Sequence, residues 1–112
     1  MKNLLGAAGE AAAARYLRAK GYEIEAANVR SRFGEIDLIA KKGAYIVFVE
    51  VKTRKSAAFA KPREHVTQAK LQKIQKTALL YLAEHPTKLQ PRFDVIEVYL
   101  SDAKGEPSIE HL

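Results

Sequence analysis

A chain of 112 residues with a net charge of +6 has room for one domain with a modest core and none for a second. It contains no Cys, which excludes disulfides, a Cys-ligated zinc site and thiol nucleophiles, and His65, His85 and His111 show no metal-ligand spacing. No apolar run is long enough to cross a membrane, and Glu10 and Arg15 interrupt the small-residue start, so the expectation is a cytoplasmic protein without a signal peptide.

Leu4 to Lys20 reads as a helix whose apolar face is Leu4, Leu5, Ala8, Ala12, Ala13, Tyr16 and Leu17, ended by Gly21. Glu10 lies off the centre of that face. Its basic neighbours Arg15 and Arg18 are not at helix-pairing spacing, so the carboxylate is available to lean toward a sheet edge. Tyr22 to Asn28 alternates as a half-exposed strand, and Val29 to Phe33 reads as a bend. In that bend Arg30 and Arg32 are candidates for phosphate contacts or for pairing with Glu35.

The stretch Gly34 to Lys52 reads as a β-hairpin with arms Gly34–Lys41 and Tyr45–Lys52, turning at Lys42-Gly43. The second arm is apolar through Val49, as expected of a strand buried on both faces. Charges in such a place are costly unless paired or bound to a metal, yet the arms carry Glu35, Asp37, Glu50 and Lys52. Strand alternation puts Glu35 and Asp37 on one face and Glu50 and Lys52 on one face. A two-residue loop at Lys42-Gly43 makes Asp37 and Glu50 diagonal neighbours, a four-residue loop sets them directly opposite, and an odd loop separates them. Converging carboxylates require a proton, a lysine or a divalent cation between them, and carboxylate oxygens with room for phosphate suit Mg²⁺ or Mn²⁺. Lys52 would then orient or deprotonate an attacking water or stabilise a pentavalent phosphate. The plainer alternative is a Glu50–Lys52 ion pair at a strand end.

Residues 53–66, TRKSAAFAKPREHV, read as a basic loop leaving the strand that bears Glu50 and Lys52. Phe59 within it either packs or stacks on bases. Thr67 is the expected N-cap of a helix from Gln68 to about Glu84, with Leu71, Ile74, Ala78, Leu79 and Leu82 as its buried stripe. Arg92 to Leu100 reads as a strand, with Asp94 a partner for Arg92 or Arg54, and residues 101–112 as a polar tail with a short strand at Ile109. Between Lys41 and Lys73 nine basic residues (Lys41, Lys42, Lys52, Arg54, Lys55, Lys61, Arg63, Lys70 and Lys73) face only Glu50 and Glu64. That stretch suits a polyanion, as does the pair Arg30 and Arg32. The order helix, three strands, helix, strand predicts an α/β sandwich with a mixed sheet of about four to five strands flanked by helices.

Asp37 followed by Glu50-Val51-Lys52 resembles the PD-(D/E)xK nuclease pattern. The longer string GEIDLIA, a short gap and FVEVKTR, with Gly9-Glu10-x-x-Ala13 upstream, resembles the YraN-like family over Gly9 to about Leu100. These are small bacterial proteins with a restriction-endonuclease-like fold, similar to archaeal Holliday-junction resolvases. The resemblance implies that fold, a Mg²⁺ (or Mn²⁺) site at Asp37 and Glu50 completed by Glu10, and Lys52 as the catalytic lysine. It implies Gln68 or Lys70 as the helix residue that holds water or phosphate. It further implies an endonuclease acting on DNA, including branched DNA, as a homodimer, with RNA left open. Ile36 departs from the Pro usual before the Asp. The other reading retained is a catalytically inactive nucleic-acid-binding module on the same fold.

Overall fold

The computed structural model describes residues 4–54, 67–100 and 107–112. Among them the elements run α1 (Leu4–Ala19), β1 (Glu23–Ser31), β2 (Gly34–Lys42), β3 (Tyr45–Arg54), α2 (Gln68–Glu84), β4 (Gln90–Tyr99) and β5 (Ser108–His111). The strands form one mixed sheet in the order β1-β2-β3-β4-β5. All neighbours are antiparallel except β3 and β4, which are parallel. Parallel neighbours need a long crossover, and α2 lies in it. The result is the expected α/β sandwich, with β5 added at the edge as the fifth strand.

The apolar run of β3 is central and buried on both faces, as its composition predicts. Val47 and Val49 pack with Ala12, Ala13, Ala14 and Leu17 of α1, while Ile46 and Phe48 pack with Ile74, Ala78 and Tyr81 of α2. The helix α1 approaches the sheet closely because its contact face is small. A Cβ added at Gly9 would lie 2.8 Å from Thr53 Cβ and overlap Thr53 Oγ1. The buried face is rotated from the expected one, with Gly9, Ala13 and Leu17 facing in and Ala8 exposed. Thr67 caps α2 as expected, its side chain accepting the Lys70 amide. The α2 stripe differs: Thr77 and Tyr81 are buried and Leu79 is 67% exposed. Thr77 is satisfied inside by the Lys73 carbonyl and Ser31 Oγ, so its hydroxyl costs little there.

The hairpin turns one residue later than expected, at Gly43-Ala44, with Lys42 opposite Tyr45 and Gly43 at φ +58°. A two-residue loop with a left-handed glycine matches the strand twist. Leu38 lies opposite Val49 in the last β2–β3 pair, so Asp37 and Glu50 follow where the ladder ends. The strand β1 runs through the expected bend to Ser31 and carries an irregularity at Asn28, whose φ is +54°. Asn28 and Asp37 lie between the pairs Ala27–Leu38 and Val29–Ile36. Ile36 packs on the α2 side and Leu38 on the α1 side, although simple alternation would put both on one face.

Of the expected 53–66 loop, Thr53 and Arg54 instead complete β3, and the rest, with Lys55, Phe59, Lys61 and Arg63, lies outside the described residues. The expected tail is a strand at Ser108–His111, paired with β4. No helix among the described residues is long and apolar enough to cross a membrane.

Candidate metal and nucleic-acid site

The start of β2, the end of β3, the Gly9-Glu10 turn of α1 and the first turn of α2 meet at one end of the sheet. Asp37 is at their centre and is only 7% exposed. The β2–β3 ladder gives way here to a side-chain contact: Asp37 Oδ2 accepts the Val51 amide at 2.8 Å. Asp37 lies where the strand changes sides, between Ile36 packed with α2 and Leu38 packed with α1.

One carboxylate of each of Glu10, Glu35 and Asp37 offers an oxygen, and the three oxygens lie within 4.8 Å of one another. Octahedral oxygens around Mg²⁺ at about 2.1 Å are about 3.0 Å apart when adjacent and about 4.2 Å when opposite. The donor set therefore fits a hard divalent cation after a small inward movement of flexible side chains. Close approach at Gly9 carries Glu10 into this group, and strand alternation carries Glu35 with Asp37. Arg30 Nε lies 3.2 Å from Glu35 Oε2 on the outer side.

Glu50, expected as a metal ligand, points to the α2 side. Its Oε1 lies 3.1 Å from Lys70 Nζ. Burial opposes the charge on Lys70, but the hydrogen bond and charge of Glu50 and the charge of Asp37 together raise its pKa above the ordinary lysine value. Lys52 is half-buried, beside Glu97 of β4 in the parallel register. The structure thus places Asp37 between two groups: carboxylates Glu10 and Glu35 on one hand, and Glu50, Lys52 and Lys70 on the other. Gln68 is exposed at the start of α2.

The basic residues divide by position. Arg30, Lys70 and Lys73 lie beside the carboxylates, and a cavity of about 320 Å³ is lined by Glu35, Thr67, Lys70 and Lys73. Arg32 and Lys76 both lie over the Phe33 ring, at 5.0 and 5.2 Å from its centroid. On the other flank a cleft of about 590 Å³ between α1 and β1 is lined by Glu10, Arg18, Asn28 and Arg30. Lys41 and Lys42, counted in the basic stretch, are at the hairpin turn, about 13–17 Å along the strand from Asp37. There Lys41 pairs with Glu25, and Lys42 donates to the Lys20 carbonyl. Arg54 faces Glu97, its Nη2 3.4 Å from Glu97 Oε2.

Sequence reasoning missed two acidic positions. Glu35 takes the place expected for Glu50, although alternation alone already set it on the face of Asp37. Glu97, 1% exposed, meets Arg54 and the Tyr99 hydroxyl. Its signal was a charge inside an apolar strand. Asp94 is held by Arg92, as expected, and also by His111.

The chain is an α/β sandwich, a mixed five-stranded sheet flanked by two helices, with acidic residues and a lysine gathered at one end beside basic ones. It belongs to the family described as "Uncharacterised protein family UPF0102", whose model matches residues 9–98. It is 52% identical over 99 residues to a UPF0102 protein of Symbiobacterium thermophilum, covering 88% of this chain and 84% of that one. It is 49% identical over 112 residues to one of Nocardia farcinica, covering 99% and 87%. A third, from Syntrophomonas wolfei, is 44% identical over 113 residues, covering 100% and 96%. The YraN-like family expected from the GEIDLIA and FVEVKTR strings is this one.

Proposed function

We propose that the chain is a metal-dependent endonuclease that hydrolyses phosphodiesters in DNA. The observation that carries this reading is the position of Asp37, buried between the carboxylates Glu10 and Glu35 and a Glu50–Lys52–Lys70 group at a basic sheet end. Glu10, Glu35 and Asp37 would hold a divalent cation, Mg²⁺ or Mn²⁺. Bound there, such an ion supplies Lewis-acid stabilisation of charge on a phosphoryl oxygen. Lys52 holds or moves the proton of the attacking water, and Lys70 meets the developing phosphate charge. Arg30, Arg32 and Lys73 anchor the flanking phosphates without reading sequence. Cutting both strands of a branched DNA needs two such sites, which a homodimer would supply.

One observation favours a second reading. Glu50 is already neutralised by Lys70, which suits a nucleic-acid-binding module that does not turn over. Cleavage of labelled duplex, single-stranded, flap and four-way-junction DNA, and of RNA, in Mg²⁺ or Mn²⁺ separates the two. The nuclease requires metal-dependent cleavage that falls by about 10²-fold or more in Lys52→Ala and Asp37→Asn. Absence of cleavage by pure wild type, with salt-sensitive binding retained in both variants, would sink it in favour of the binding module.

A further inference from the structure

On the α2 side of the sheet, Ile74, Ala78 and Tyr81 pack on Ile36 and Ile39 of β2 and on Ile46 and Phe48 of β3. Phe93 of β4 lies opposite Phe48 in the parallel register, yet it is left 38% exposed. The two rings stack, with centroids 5.5 Å apart and planes 28° from parallel, so the buried Phe48 backs the Phe93 ring. Between α2 and Phe93 lies a cavity of about 90 Å³, walled by Phe48, Leu71, Ile74, Phe93 and Val95 and reaching Glu50. A single exposed apolar side chain is ordinary, but one that walls a cavity running to the acidic sheet end is not.

Three features select an occupant. The walls are apolar and include a ring held from behind by another ring, which is a surface for stacking a planar group. The volume is well below the roughly 300 Å³ of a pocket that encloses a whole small molecule, so one ring fits and whatever carries it stays outside. The charge outside is basic: α2 carries Lys70, Lys73 and Lys76 and no acid before Glu84, and the Lys70 ammonium is 3.1 Å from Glu50 Oε1. That favours an anionic carrier. A planar ring on an anionic backbone is a nucleobase. Inside a duplex both faces of a base are covered by its neighbours, so the ring that enters belongs to an unpaired nucleotide.

We propose that the cavity between α2 and β4 takes one unpaired nucleobase, stacked on Phe93, beside the acidic sheet end. This rests on a nucleic-acid partner, which both readings above share, and adds to it a substrate class: a strand with an unpaired nucleotide at the site, as in a flap, a junction or a single strand. Glu50 lies opposite Val95, two residues along β4 from Phe93, so a base seated here holds its own phosphate near the Glu50 and Lys70 end of the cavity.

The chain has no Trp, so Phe93→Trp sets a single indole at the cavity wall, and stacking on a base quenches indole fluorescence. The full-length variant is titrated in EDTA, where no metal-dependent cleavage occurs, with a mixed-sequence single-stranded DNA, a sugar–phosphate strand of the same length without bases, and a blunt duplex. Anisotropy of each labelled probe reports binding separately, and thermal melts show that each variant is folded. The single strand should quench the indole, while the baseless strand and the duplex bind through their phosphates without quenching. Phe93→Ala should weaken the single strand by about 5-fold or more, Phe93→Tyr should hold it within about 2-fold of wild type, and neither should change affinity for the baseless strand. Should Phe93→Ala not fold, the indole signal alone decides. A single strand that binds without quenching, or quenching as strong with the baseless strand or the duplex, would overturn the proposal and leave the nucleic-acid reading standing. Indole emission that changes on diluting the protein alone would assign the cavity to a second copy of the chain and overturn it as well. No binding of any probe by folded wild type at low salt would overturn the nucleic-acid reading itself, and the proposal with it.

Discussion

Gly9 offers a test in which two effects of known size have opposite sign. In an isolated helix interior, Gly→Ala stabilises by about 1 kcal/mol. At Gly9 the added methyl would approach Thr53 Cβ and Cγ2 to 2.8 Å each and overlap Thr53 Oγ1. Both residues sit on packed elements, so relief requires α1 to lift from β3. Overpacking of this kind costs about 1–3 kcal/mol, and three atoms in conflict argue for the upper half of that range. The net expectation for Gly9→Ala is a loss of about 1–2 kcal/mol, a fall in Tm of about 4–8 °C for a domain of this size. Thr53→Ala removes Oγ1 and Cγ2 but keeps the Cβ conflict, so in that background the cost of Gly9→Ala should shrink by about 1 kcal/mol. Because α1 carries Glu10, the same variant should weaken Mn²⁺ binding. Urea denaturation of the four proteins decides the matter. A Gly9→Ala chain that is more stable than wild type, or a coupling to Thr53 below about 0.5 kcal/mol, would refute the close-approach argument.

Two further outcomes follow from buried polar groups. Asp94 accepts two N–H bonds from Arg92, at 2.9 and 2.8 Å, and lies 2.6 Å from His111 Nε2, so it ties β4 to β5. Asp94→Ala should cost about 2–3 kcal/mol, less than a fully buried pair because Arg92 reaches solvent, and should expose the β5 amides to hydrogen exchange. A loss below about 1 kcal/mol would count against the clasp. Tyr81 is pushed up to about 12 from 10.0 by burial and then by its hydrogen bond and proximity to Glu25. The fold therefore favours the neutral phenol. Its contribution is complete below pH 10 and is lost as pH rises toward 12, where wild type should lose stability more steeply than Tyr81→Phe. Parallel pH–stability curves for the two would contradict it.

The elements legible in the sequence are those set by local patterns. The apolar run of β3, the Thr67 cap and the length of α2 each follow from residues within a few positions of one another. Leu79 was expected inside and Tyr81 was not, because hydropathy ranks a leucine above a tyrosine without knowing that Glu25, distant in sequence, will accept the tyrosine's O–H. The same limit applies at the site. Asp37 was legible as a charge in an apolar strand. Glu35 joins it by simple alternation, but the change of side between Ile36 and Leu38 coincides with Asn28 at φ +54° on the neighbouring strand, a conformation that asparagine tolerates but does not announce. Lys70 was visible only as one basic residue among many, since its partner is on another element and the pairing is set by how α2 crosses the sheet.

Asp37 has two roles that substitutions can separate. Where the paired ladder gives way beyond Leu38 and Val49, its Oδ2 takes the place of a strand acceptor for the Val51 amide. That is a structural task, and a neutral amide oxygen can perform it. Asp37→Asn should therefore fold with stability within about 1 kcal/mol of wild type, whereas Asp37→Ala leaves a partly buried N–H without its acceptor and should cost about 1–3 kcal/mol. Gathering charge with Glu10 and Glu35 requires the carboxylate, so both variants should lose Mn²⁺ affinity alike. Denaturation beside metal titration makes the comparison. If Asn and Ala are equally destabilising, the Val51 contact is not what holds β2 to β3 at this end. If Asn binds Mn²⁺ as wild type does, Asp37 is not part of the ion site.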